Sequence, residues 1–199
     1  MAEQPDAVKT TFRTVFEVGP DALAQTQDMA GAFQYAIAPA TVDHDFGEIR
    51  RAAEAVPDSS TVKIIRGWGL QETAPVGVMV LSLREAVRQG LAQPFGNPAF
   101  WAKAEAALAD VFVGLGDQEG THLSFHGDAT DSTSYYYNLL FALQDEETEG
   151  FVHALAFCVH VTVALPGNEV RTLTVDDIAR CAIRVDAVAV RQAVRTAAV

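Results

Sequence analysis

The chain is poor in the residues that mark a recognisable chemistry. Of its 199 residues only two are cysteine, Cys158 and Cys181, and both fall inside apolar, strand-like runs. They read as small buried hydrophobes, which leaves neither a disulfide framework nor a cysteine pair at zinc spacing, and they do not fix the redox compartment. Positive charge is scarce as well, with 14 Lys and Arg against 26 Asp and Glu and a net charge of −12. That deficit excludes nucleic acid as a partner and excludes electrostatic capture by anionic lipid, because both require a basic patch. Any membrane is then reached by apolar contact, with zwitterionic phospholipid favoured. No window approaches the roughly 18 apolar residues of a spanning helix, and Met1–Asp6 has neither the basic start nor the apolar run of a secretory signal. The chain is expected to be made as a soluble cytoplasmic protein and released by another route. It has no GxSxG elbow and no glycine-rich phosphate loop, and the acidic turn at Asp145 lacks calcium-loop spacing. The expectation is no catalytic residue, no cofactor and no metal.

What is present is apolar sequence at strand periodicity. With 49% hydrophobic residues, a chain of this size buries about 70% of its unfolded surface without staples. No linker or composition shift divides it, so one domain is expected over 1–199, with tails at 1–9 and 191–199. Ser134 to Val175 organises the rest. Tyr135–Gln144 reads YYYNLLFALQ and Phe151–Leu165 reads FVHALAFCVHVTVAL, with an acidic turn between them. Pro166-Gly167-Asn168 then precedes a third apolar segment, which gives strand, turn, strand, turn, strand. In the middle strand Phe151, His153, Leu155, Phe157, Val159, Val161 and Val163 alternate with Val152, Ala154, Ala156, Cys158, His160 and Thr162. Large side chains take one face and small ones the other, so both faces expect cover.

Upstream, Thr10–Val18 suits an edge strand with one wet face. Asp21–Ala38 carries Leu23, Met29, Ala30, Phe33 and Ile37 at helical spacing behind an acidic cap. Asp45–Val56 opens with Asp45 and, three residues on, Glu48, as a capping box does, and stops at Pro57. Thr61–Leu70 reads as a short strand. Val76–Gln93 is an amphipathic helix, and Asn97-Pro98 caps another that reaches Leu115. Thr121–Gly127 is a short strand, and Cys181–Val190 makes the last one. Helices crowd the first half and strands the second, which defines an α+β fold with an antiparallel-rich central sheet and helices on both faces.

Four polar residues invite a site: His122, His126, Asp128 and Asp131. On a strand His122 and His126 lie about 13 Å apart, too far to share an ion. Only His126 and Asp128 stay close enough to cooperate, and the plainer reading is a polar turn at a sheet end. Trp68 and Trp101 have the chemistry of membrane-interface anchors, although core positions suit them better.

The run Tyr135–Gln144, its acidic turn closed by Thr148-Glu149-Gly150, and the long strand to Val163 resemble the Cyt-type delta-endotoxins, insecticidal cytolysins related to fungal volvatoxin. Ala32-Phe33-Gln34 with Ala36 and Pro39 resembles the first helix of that family, and Asp45-Phe46-Gly47 its second. Leu173–Ile178 resembles the strand and turn that follow the hairpin. Ala156 and Cys158 depart from the pattern by standing where the family tends to carry proline and glycine, and His160 stands where an acid is usual. The resemblance implies a sheet wrapped by two helical layers, direct phospholipid binding, permeabilisation of cells, and no catalysis.

The resemblance and the strand lengths meet in the hairpin, because about 9–11 residues already span a bilayer. The insertion candidates are Tyr135, Tyr136, Tyr137, Leu139, Leu140 and Phe141 on one strand and Phe151, Leu155, Phe157, Val159 and Val161 on the other. Inserted strands must satisfy their backbone hydrogen bonds, so a pore requires a homo-oligomer on the membrane. Neither face of the middle strand offers a wet lumen, which keeps detergent-like disruption open. A second function class is a non-lytic lipid-binding protein that holds an acyl chain between helices and sheet. His153, placed among Phe151, Leu155 and Phe157, is a candidate pH switch, because apolar burial lowers a histidine pKa below about 6.5.

Overall fold

The computed structural model describes residues 11–92, 96–144, 147 and 150–195. In chain order the elements are β1 (Arg13–Glu17), α1 (Pro20–Gln34), α2 (Phe46–Ala55), β2 (Ser59–Pro75), α3 (Val76–Leu91) and α4 (Pro98–Ala109). There follow α5 (Leu115–Gln118), β3 (Leu123–Asp128), β4 (Thr133–Gln144), β5 (Phe151–Val163), α6 (Gly167–Val170) and β6 (Ile178–Ala193).

The expected α+β fold is present, with a six-stranded sheet in the order β1-β4-β5-β6-β2. β3 shares the outer edge of β4 with β1, pairing with Thr133–Tyr137 while β1 pairs in parallel with Leu139–Leu143. Every other pairing is antiparallel. The β4–β5 hairpin runs in unbroken register from Thr133 opposite Val163 to Gln144 opposite Val152.

Large–small alternation decides which layer covers which face. Tyr135, Tyr137, Leu139, Phe141, Leu155, Phe157, Val159 and Val161 point into a core shared with Met79, Leu83 and Val87 of α3 and Phe100, Ala104 and Leu108 of α4. The opposite face presents Leu140, Ala142, Ala154, Ala156 and Cys158 to Met29 and Phe33 of α1 and Ile49 and Ala53 of α2. Ala154, Ala156, Leu155 and Phe157 are all 0% exposed, so the sheet is covered on both sides. Trp68 and Trp101 pack, partly buried, against the first of these cores.

Local signals set most boundaries. The Asp45 side chain accepts the Glu48 N–H at 3.1 Å and opens α2, and Asn97 accepts the Phe100 N–H at 3.0 Å and opens α4. Elsewhere tertiary structure overrides the sequence pattern. α1 is capped by Gly19 with Pro20 in its first turn, not by an acidic side chain, and it ends at Gln34 rather than Ala38. Leu23 accordingly faces outward, 42% exposed. α4 ends at Ala109 rather than Leu115, because Gly114 turns left-handed at φ 67° and starts α5. The short strand expected at Thr61–Leu70 is a 17-residue strand, Ser59–Pro75. Register shifts between Thr61 and Lys63 and between Ile65 and Trp68 break its alternation, and Gly67 supplies the positive φ of the second bulge. The third apolar segment after Pro166 is not a strand. Pro166 caps the single turn α6, and the Asp177 carboxylate accepts the Thr174 N–H at 2.7 Å, holding a turn before β6 starts. β6 runs to Ala193, into the stretch expected as a C-terminal tail, while residues 1–9 lie outside the described residues.

Candidate functional site

The insertion candidates converge on the β4–β5 hairpin, and nearly all are inaccessible in this fold. Tyr135, Tyr137, Leu139, Leu140, Phe141, Leu155, Phe157, Val159 and Val161 are each 0% exposed. Tyr136 and Phe151 are half-buried. Two buried tyrosines are held from above: the Tyr135 hydroxyl donates to the Val111 carbonyl at 2.8 Å and the Tyr137 hydroxyl to Gln118 Oε1 at 2.5 Å. His153 is 2% exposed and stands between Leu143 and Arg191 in the register. The Arg191 guanidinium lies 3.6 Å from the Phe151 ring centroid.

Polar residues gather at the other end of the hairpin, on the face beneath α1 and α2. Asn138 Nδ2 donates to the Val42 carbonyl at 2.7 Å, and Val42 holds a positive φ of 59°. Asp186 accepts the Gly67 N–H at 2.7 Å, while its other oxygen lies 3.1 Å from His44 Nε2 and 3.8 Å from Arg184. These contacts tie the α1–α2 connection to the sheet. At the far end of α1, Gln25 Nε2 donates to Gln192 Oε1 at 2.6 Å, and Gln192 Nε2 donates to the Pro57 carbonyl at 2.6 Å. Asp43, His44, Tyr136, His160, Arg184 and Asp186 line a polar pocket of about 190 Å³.

The Asp128 side chain, expected to act with His126, lies outside the described residues. His126 Nε2 meets His160 Nε2 at 3.1 Å, with both rings 4.6 Å from the Tyr136 ring. His122 turns elsewhere, its Nδ1 lying 3.2 Å from the Thr11 carbonyl, and Asp131 is exposed in the β3–β4 turn. Both cysteines are buried and unbridged, and burial pushes the Cys181 thiol up to about 11, far from a reactive thiolate at neutral pH. No helix among the described residues is long and apolar enough to cross a membrane.

A family model described as Bacillus thuringiensis toxin matches residues 3–199. The chain belongs to that family. The type-2Aa cytolytic delta-endotoxin of B. thuringiensis subsp. kyushuensis is 30% identical over 193 residues, covering 96% of this chain and 74% of the relative. The type-2Ba cytolytic delta-endotoxin of subsp. israelensis is 27% identical over 190 residues, covering 95% and 72%. The crystal structure of the activated Cyt2Ba monomer from subsp. israelensis superposes with a TM-score of 0.88 at 27% identity, over 94% of this chain and 100% of that one. A delta-endotoxin structure matches the whole chain at a TM-score of 0.89 and 28% identity, over 90% of its own length. The two-layered sheet expected from the resemblance is therefore the fold of this family, and the chain is a cytolytic-toxin homologue.

Proposed function

We propose that this protein is a non-enzymatic cytolysin that binds phospholipid directly, oligomerises on the membrane and permeabilises it by inserting the β4–β5 hairpin. The observation that carries the proposal is the hairpin itself, strands of 12 and 13 residues paired without a break. Each exceeds the roughly 9–11 residues that cross a bilayer. Because the insertion candidates are buried, the helical layers must leave the sheet before the hairpin meets lipid. The two faces then differ usefully. The face under α3 and α4 is large and apolar, as a lipid-facing surface needs. The face under α1 and α2 carries Ser134, Tyr136, Asn138, His160 and Thr162 toward one end and Leu140, Ala142, Ala154, Ala156 and Cys158 along the rest, so it is smaller and less apolar than the other, and only its polar end suits water. Backbone groups at the hairpin edges require strands from further chains, so the inserted state is oligomeric.

First contact falls to exposed apolar residues. Val78 and Leu81 of α3 are 41% and 57% exposed, Val175 is 44% and Ile178 is 68%. They share one end of the molecule, because the Gly77 N–H donates to the Val175 carbonyl and Pro75 pairs with Ile178. Asp176 and Asp177, between Val175 and Ile178, are exposed and repel anionic headgroups, so the contact favours zwitterionic lipid. The acyl-carrier reading predicts intact vesicles and co-purified lipid. Dye release from phosphatidylcholine liposomes, together with mass spectrometry of extracted lipid, separates the two. Release with lipid-free protein is the expected result, and intact vesicles with a bound lipid would overturn the cytolytic reading.

A further inference from the structure

The histidine pair at the open end of the sheet has the geometry of a metal site. Two imidazole nitrogens bound to one ion at 2.0–2.1 Å lie about 3.3 Å apart at a tetrahedral angle and about 2.9 Å apart at a right angle. His126 Nε2 and His160 Nε2 are 3.1 Å apart, between those limits. The rings are set at 21° to one another and both lie against Tyr136, and one Nε2 donates its proton to the other, a position an ion would take. We propose that His126 and His160 bind a late first-row divalent cation, of the zinc, nickel and copper class, and that the ion pins β3 to β5 across β4.

Three observations support this. Imidazole is the ligand those ions prefer, whereas magnesium and calcium take oxygen. His126 is exposed and His160 half-buried, so an ion has access from solvent. The adjoining pocket is lined by Asp43, His44, Arg184 and Asp186; Asp186 is engaged by His44 and Arg184, while Asp43 acts on His160 as a negative charge that favours a cation there. Among the described residues no group of three His, Cys, Asp or Glu is placed to hold an ion, so water completes the coordination. The cross-link joins residues 34 apart in sequence. On the proposed function it also has a consequence, since β3 must part from β4 for the hairpin to insert, and a bound ion would slow that step.

The test uses untagged protein at pH 8, because an imidazole binds a metal only through an unprotonated nitrogen and binding is stronger at higher pH. Melting is followed with zinc, nickel, copper or magnesium chloride, and binding is measured by titration calorimetry at 25 °C. At a free ion concentration about a hundredfold above the dissociation constant, Tm should rise by roughly 5–10 °C. Calorimetry should give one ion per chain. His126→Gln and His160→Gln should each abolish both signals, while His122→Gln keeps them and magnesium gives neither. Calorimetry on folded variants at 25 °C keeps the test decisive even if one of them melts lower. No rise with zinc, nickel or copper, or an unchanged rise in both variants, overturns the site. Dye release with zinc against chelator then addresses the role in lysis. Wild type should be slowed and His126→Gln should not. If wild type releases no dye under either condition, the cytolytic reading fails while the melting and calorimetric data still decide the metal site.

Discussion

Replacing Asp186 by alanine tests whether one carboxylate fastens the α1–α2 layer to the sheet. Asp186 is 8% exposed and accepts from Gly67 at 2.7 Å, with His44 at 3.1 Å. Hydrogen bonds to charged groups contribute about 1.5–3 kcal/mol each, and breaking a buried pair costs about 3–5 kcal/mol. Gly67 is exposed, so its N–H regains water, whereas the His44 side chain, 8% exposed, does not. About 3 kcal/mol is therefore expected, a large share of a total stability of about 5–15 kcal/mol. For a chain of this size that lowers Tm by roughly 6–12 °C. Asp186→Asn keeps an acceptor for Gly67 and should lose about a third as much. Thermal melts and urea unfolding of wild type, both Asp186 variants, His44→Phe and the double variant would measure it. A coupling above about 0.5 kcal/mol between positions 44 and 186 is expected. An Asp186→Ala protein that melts within about 2 °C of wild type, or additive effects in the cycle, would refute the latch. If this layer must lift before insertion, the same 3 kcal/mol speeds dye release by up to about a hundredfold at 1.4 kcal/mol per decade.

Leu140→Asp and Phe157→Asp should each prevent folding, because both positions are 0% exposed and an unpaired buried carboxylate costs several kcal/mol; soluble, cooperatively melting variants would contradict the covered sheet. Asp177 is held below the usual carboxylate range by the Thr174 N–H and hydroxyl, so it stabilises the fold above the unfolded value of about 3.9 and ceases to as pH falls below it. The Tm difference between wild type and Asp177→Asn should accordingly shrink between pH 7 and pH 3, and a constant difference would count against that turn. Dye release should change little when phosphatidylserine is added to phosphatidylcholine vesicles, and a steep dependence on anionic lipid would show that a basic surface governs contact. His153→Phe should remove any acceleration of release at pH 5.0 relative to pH 7.4, whereas an identical acid response in wild type and variant would exclude His153 as the switch.

Local chemistry made parts of this fold legible. Asp45 with Glu48, and Asn97 with Pro98, cap their helices through contacts three residues away, and the caps lie where the sequence puts them. The hairpin was equally plain, since strict alternation over strands of this length leaves a single register with both faces buried. β2 was not legible, because its two bulges shift the alternation and most of its side chains face solvent. The segment after Pro166 is apolar at Val170 and Leu173 because both pack into the large core, not because it pairs. The pocket was beyond sequence reading for a different reason. Its residues come from the α1–α2 connection, β4, β5 and β6, brought together by long-range pairing alone, and the same pairing sets His126 of β3 against His160 of β5.

One alternation thus specifies two environments. In the folded chain, large side chains on β4 and β5 require a thick apolar cover, and α3 and α4 provide it. The small side chains opposite let α1 and α2 approach closely, but they bury little area, so that layer is fastened by Asn138, Asp186, His44, Gln25 and Gln192 instead. Under the proposed function these two kinds of attachment have different replacements. The large apolar face exchanges helix for lipid, conserving most of its burial. The polar fasteners exchange protein partners for water, at a net cost of about 0.5–1.5 kcal/mol for each neutral bond and about 1.5–3 kcal/mol for each bond to the Asp186 carboxylate. On that reading, leaving this fold costs less once a membrane is present than without one, because in water the large face has no other cover. Under the proposed function this fold is guarded by the absence of lipid, and the polar contacts under α1 and α2 set how readily it is left.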